Sequence, residues 1–210
     1  MTDIYIGIDP GSKNCALVAW SPTRGMITTW KPKGTMPTGV LRLRRLMAEI
    51  GNEMQKLEIQ DGVIKGIAME AYSMAEKFGQ HASGEVGAAI KLTVLAHFEA
   101  SPMPGGGSFI DNRAFPILVA PQQLKKFATG NGNTKKELIT KEVLKRWGVD
   151  FDDSNLAEAY CLARIANAVE DRPDGLTKFQ QDVVLALNGR TERPTTLPMP
   201  AARRLARVGR

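Results

Sequence analysis

Cysteine and histidine are scarce in this chain. Cys15 and Cys161, His81 and His97 are the full complement among 210 residues. Their scatter argues against a Cys/His zinc site. Both cysteines fall in apolar segments, so they read as reduced packing residues of a cytosolic protein. His81 and His97 read as packing or solvated groups rather than acid–base groups. No apolar run is long enough to span a bilayer, which argues against a membrane partner. The N-terminus lacks the basic region and apolar core of a secretory signal. Aromatic residues make up only 6% of the chain; Trp20, Trp30 and Trp147 read as core or rim residues. There is no internal repeat.

What remains is an ordinary globular composition, 43% hydrophobic and 24% charged. The length suggests one domain with an appendage. We place the domain at residues 1–188 and a basic, disordered tail at 189–210, where Pro194, Pro198 and Pro200 accompany few core residues. The formal charge is +6, which favours a polyanionic partner, nucleic acid above all. Much of it belongs to the tail: Arg193, Arg203, Arg204, Arg207 and Arg210 stand there against Glu192. Without the last twenty residues the balance is +2, so any basic surface on the domain must be local.

The stretch Ile4-Tyr5-Ile6-Gly7-Ile8-Asp9-Pro10-Gly11-Ser12 organises the rest. Ile4, Ile6 and Ile8 share one face of a strand; Tyr5, Gly7 and Asp9 share the other. Pro10-Gly11 ends the strand. Strands over Cys15–Trp20 and Met26–Trp30 follow, so the first three should be antiparallel. Thr38 reads as an N-cap for a helix carrying Leu43, Leu46, Met47, Ile50, Met54 and Leu57 on one face. A fourth strand, Val63–Met69, ends in Glu70. A small-residue stretch then leads to a helix over about Glu85–Phe98, and Pro102–Gly107 reads as a flexible loop. A fifth strand over Phe115–Val119 precedes a helix from Pro121 to about Ala128. Thr134 and Glu137 have capping-box spacing for a helix to Arg146. After the acidic turn Asp150–Asn155 comes another helix, and a last amphipathic one covers Leu176–Leu187. This is an α/β order: a five-stranded mixed sheet flanked by helices, in which helical crossovers make the later strands parallel to the first.

Asp9 and Glu70 each end an apolar strand; if those strands pair in parallel, both carboxylates come to the same sheet edge. Glu158 lies one turn into a helix. Three converging carboxylates raise one another's pKa unless a hard divalent cation joins them. Two such ions, about 3.5–4 Å apart, activate water and stabilise the leaving oxygen of a phosphodiester. Plainer readings stand beside this one. Asp9 caps the turn before Pro10-Gly11, Glu70 faces solvent, and Asn155 and Glu158 form a helix-capping pair. Asp152 and Asp153 complement the helix dipole.

Four segments resemble the RuvC-type Holliday junction resolvases of the ribonuclease H-like superfamily. They are Gly7-Ile8-Asp9-Pro10-Gly11-Ser12; Ile67-Ala68-Met69-Glu70; Pro121-Gln122-Gln123-Leu124-Lys125-Lys126 with Gly130-Asn131-Gly132 and Lys135-Lys136; and Glu158-Ala159-Tyr160-Cys161-Leu162-Ala163. The resemblance implies a ribonuclease H-like fold and two Mg²⁺ ions, replaceable by Mn²⁺, held by Asp9, Glu70 and Glu158. It implies a homodimeric, metal-dependent endodeoxyribonuclease that resolves branched, four-way-junction DNA by paired symmetric nicks, leaving 5′-phosphates, in recombination or repair. Such a protein would work in the cytoplasm, at a nucleoid or in a phage-infected cell. Two positions depart from the family. Its fourth ligand is an acid where this chain has Asn155, which leaves Asn155 or Asp153 to complete the site. Its junction-wedging aromatic falls at Ser73, with Tyr72 one residue early. Lys125, Lys126 and Lys136 match the basic segment that faces phosphates, a role of phosphate positioning and charge neutralisation, against the plain alternative of solvated helix lysines. Arg42, Arg44 and Arg45 read first as a solvated face and second as phosphate contacts.

Two rival functions remain. One is a junction-binding protein without cleavage, suggested by Asn155. The other is an actin-like, sugar-kinase-type phosphotransferase, whose Asp-x-Gly turn Asp9-Pro10-Gly11 also fits, although such chains normally carry two of these domains.

Overall fold

The structure is a computed structural model, and it describes residues 1–11, 14–71, 80–99 and 112–188. Its strands are β1 (Thr2–Asp9), β2 (Ala16–Ser21), β3 (Gly25–Trp30), β4 (Gly62–Glu70) and β5 (Ile117–Val119). Its helices are α1 (Gly39–Gln60), α2 (Gln80–Glu99), α3 (Pro121–Thr129), α4 (Lys136–Trp147), α5 (Ser154–Glu170) and α6 (Lys178–Asn188). The strands form one sheet in the order β3-β2-β1-β4-β5. β1–β2 and β2–β3 are antiparallel; β1–β4 and β4–β5 are parallel. This is the mixed five-stranded sheet that the sequence implies.

The period-2 pattern of β1 separates two cores. Ile4, Ile6 and Ile8 pack with Leu46, Ile50, Met54 and Leu57 of α1 and with Val86, Ile90 and Val94 of α2. Tyr5 faces the other layer, built from α3, α4, α5 and α6. α5 is the helix buried most deeply, with Ala157, Ala159, Ala163 and Ala166 among its buried residues. Such small side chains let its backbone approach the sheet. Gly7 completes that approach, because a Cβ there would lie 1.8 Å from the Ala159 carbonyl oxygen and 2.4 Å from the Ala163 nitrogen.

Several boundaries differ from the sequence reading for local reasons. β5 starts at Ile117, not Phe115, because Pro116 has no N–H to donate to a ladder. A 3₁₀ turn at Asn112–Ala114 precedes it. α2 begins at Gln80, earlier than the expected Glu85. Thr38 sits at the N-cap of α1 but makes no side-chain cap bond. The expected capping box at Thr134 is absent: α4 starts at Lys136 after Lys135, and the Thr134 hydroxyl bonds Thr129 Oγ1 and the Asn131 carbonyl. Asp153, not Asn155, caps α5. The expected loop at Pro102–Gly107 and the tail at 189–210 lie outside the described residues. Among those described, no helix is long and apolar enough to cross a membrane.

Candidate metal centre

β1 and β4 run parallel with Ile8 opposite Met69. Asp9 and Glu70 are the next residues, so both end on the same sheet edge. α5 crosses this face and supplies Glu158 from its second turn. One carboxylate oxygen from each of Asp9, Glu70 and Glu158 lies within 4.8 Å of the others. Asp9 is 3% exposed and Glu158 4%, so this is no surface scatter of acids. Asp9 plays two parts at once. Its Oδ1 accepts from the Gly11 N–H at 3.1 Å, capping the turn, while Oδ2 is buried with no hydrogen bond. Glu158 does not reach back to cap α5, because Asp153 already accepts from the Asn155 N–H at 2.8 Å.

Burial pushes the Asp9 carboxyl up to about 7; Lys136 opposes the rise and Glu158 adds to it. Burial likewise lifts Glu70 to about 8, with Asp9 and Glu158 adding and Lys136 and Lys125 opposing. Lys136 reaches in from the first residue of α4. Its Nζ touches Glu158 Oε2, donates to Asn155 Oδ1 at 2.9 Å and lies 3.8 Å from Asp9 Oδ2. Burial opposes charge on Lys136, but its contact with Glu158, with help from Asp9 and Glu70, outweighs it and raises the lysine pKa.

No family model matches the chain, and no curated protein matches it in sequence. Solved structures do match it. One is Thermus thermophilus RuvC in complex with a Holliday junction substrate, at 18% identity and a TM-score of 0.55 over 76% of this chain and 90% of that one. Another T. thermophilus RuvC structure matches over the same shares at 18% identity, with a TM-score of 0.54. The fold is that of RuvC. At this identity the likeness extends to the fold alone, and the chemistry must come from the side chains present.

On that RuvC fold, the donor set fits a hard divalent cation. All three groups offer carboxylate oxygen, the kind of ligand such ions take, and Asp9 Oδ2 is a buried acceptor with no proton donor bonded to it. The two candidates for a fourth ligand are otherwise engaged. Asp153 pairs with Lys31 and receives the Asn155 N–H; burial opposes its ionisation, but the lysine and that N–H prevail and lower its pKa. Asn155 accepts from Lys136.

The other basic residues are placed unevenly. Lys125 is close enough to influence Glu70. Lys126 pairs instead with Asp182 of α6 at 3.4 Å. Arg45 is held by Glu49 at 2.6 Å and by the carbonyls of Lys33 and Thr35. His97 packs edge-on against Phe98 and meets Glu58 at 3.0 Å. Tyr72, Ser73 and Ser12 lie outside the described residues, as does the side chain of His81. Lys31 was missed by sequence reasoning. Its pairing with Asp153 spans the chain and leaves no local signal.

Proposed function

We propose that this chain is a divalent-metal-dependent, structure-selective DNA endonuclease that resolves four-way junctions by paired symmetric nicks. Its setting would be DNA recombination or repair in the cytoplasm. The observation that supports this reading best is the buried Asp9–Glu70–Glu158 cluster at the sheet edge of a RuvC fold. Asp9, Glu70 and Glu158 would hold the cation, Mg²⁺ or Mn²⁺. When bound, it supplies Lewis-acid activation of water and neutralises charge on the phosphate.

The chain's own residues do the rest. The β1 end and the α5 helix fix the carboxylates before substrate arrives, so little reorganisation accompanies reaction. Lys125 and Lys136 put positive charge beside the acids, where a phosphodiester would otherwise be repelled. Hydrolysis adds one water across the P–O bond and leaves a 5′-phosphate and a 3′-hydroxyl. Symmetric nicks need two such sites related by a two-fold axis, hence a homodimer. Tyr72 or Ser73 would meet the bases near the crossover, and Lys126 would reach a more distant phosphate.

A second reading, a junction binder without cleavage, draws on Asn155, whose oxygen serves Lys136. A synthetic four-way junction incubated with the protein and Mg²⁺ or Mn²⁺ separates the two. The nuclease reading expects symmetric nicks, reduced at least about 10³-fold by Asp9→Asn, in keeping with loss of a group central to charge stabilisation. Tight binding without nicks in either metal would favour the binder.

A further inference from the structure

We infer that the Lys136 ammonium stands in the place of a second cation, so that this centre takes one divalent ion. The inference rests on the metal-dependent nuclease reading and departs from the pair of ions that the family resemblance implies.

The observation behind it is the coupling of two residues. Asn155 stands where the resemblance expects an acid, and its Oδ1 accepts a hydrogen bond from Lys136 Nζ at 2.9 Å. The same nitrogen touches Glu158 Oε2 and lies 3.8 Å from Asp9 Oδ2. An ion bridging Asp9, Glu158 and residue 155 would need the volume this ammonium fills, and the two positive charges would repel at contact range. The Glu70 backbone pairs with Val119, but its carboxylate, by contrast, makes no ion pair or hydrogen bond among the described residues. The side of the cluster shared by Asp9, Glu70 and Glu158 is therefore the side left for metal.

Charge balance agrees. Four acids match two divalent ions. Here three carboxylates converge and one ammonium lies among them, which leaves a net charge that a single divalent ion neutralises. The lysine does not arrive by chance of rotamer alone. It is the first residue of α4, whose Ile139 and Val143 are buried. The turn before it is held by bonds from the Thr129 and Thr134 hydroxyls to the Asn131 carbonyl, with Gly130 in the left-handed conformation at φ 86°. A carbonyl of an asparagine suits an ammonium donor as an aspartate would, without adding a charge that would call for further metal.

The test is metal stoichiometry, read without catalysis. Mn²⁺ is titrated into the full-length protein at about pH 8, with calorimetry giving the ratio and electron paramagnetic resonance counting free ion. The expected result is one Mn²⁺ per chain. The double variant Lys136→Ala/Asn155→Asp, which restores the fourth acid and clears the ammonium, is expected to take two; circular dichroism verifies that it folds. Two ions in the native protein would overturn the inference while leaving a metal-dependent nuclease intact. One ion in both proteins would also overturn it, since Lys136 would then not be what limits occupancy. No binding in the native protein would overturn the inference and the metal reading together.

Discussion

At the scale of single residues, the centre is an arrangement that folding alone would not favour. Asp9 and Glu70 have their pKa values raised to about 7 and about 8 in the folded protein. A carboxyl so raised favours the folded state most when protonated in both states. That contribution is lost as pH climbs from the ordinary carboxylate range through the raised values. Metal-free protein should therefore melt several degrees lower near about pH 8.5 than near about pH 5.5, since about 1 kcal/mol moves Tm by roughly 2–4 °C in a chain of this size. Mg²⁺ or Mn²⁺ should restore Tm at the higher pH and do little at the lower, where protons hold the ligand oxygens. Asp9→Asn should flatten the pH dependence and remove most of the metal response. Scanning fluorimetry checks all of this, and an equal metal-induced rise at both pH values would contradict it.

How much of the site could be read from sequence differs residue by residue. Asp9 and Glu70 were legible because each ends an apolar, β-patterned run, and parallel pairing puts both ends on one edge. Glu158 was ambiguous, since its spacing from Asn155 also fits a helix cap. What decides it is Asp153: a charged acceptor suits a helix N-terminus, and its side chain takes the Asn155 N–H first. The place of Lys136 was not legible as geometry, because its partners, Asp9 and Glu158, come from distant segments and meet only after packing.

At the scale of elements, the strands and most helices followed from periodicity, and so did the starts of α1 after Thr38 and of α3 at Pro121, while the starts of α2 and α4 did not. Capping depends on which hydroxyl or carboxylate is already engaged, as Thr134 illustrates by turning into the preceding loop. The contact that matters most for the centre is α5 on β1. It sets Glu158 against Asp9, and Gly7 is what lets it form. Gly7→Ala would drive a methyl into the α5 backbone, which cannot yield without moving the whole helix. The expected cost is about 3 kcal/mol or more, a fall in Tm of roughly 10 °C, with metal affinity lowered in any protein that still folds. A variant with native Tm and native metal binding would show that α5 does not sit against the strand in this way.

At the scale of the whole molecule, the charge is unevenly shared. The first 190 residues carry a balance of only +2, so the domain offers local positive charge, at Lys125 and Lys136 beside the acids. The arginines beyond Asn188 hold most of the excess. Removing residues 189–210 should weaken junction binding and reduce its salt dependence, by about one unit of log–log slope for each arginine that meets a phosphate. An unchanged slope would exclude the tail from DNA contact. The mixed sheet, with its first three strands antiparallel, its later ones parallel to the first and helices around it, was implied by the order of the elements, and the likeness to RuvC agrees with that architecture.

The central claim is that Asp9, Glu70 and Glu158 bind one cation jointly. Anomalous diffraction from a crystal soaked in Mn²⁺ tests it most directly. The predicted result is a peak about 2.0–2.2 Å from an oxygen of each of the three. An empty cluster under saturating Mn²⁺, or an ion bound elsewhere while these carboxylates stay protonated and paired with one another, would contradict it.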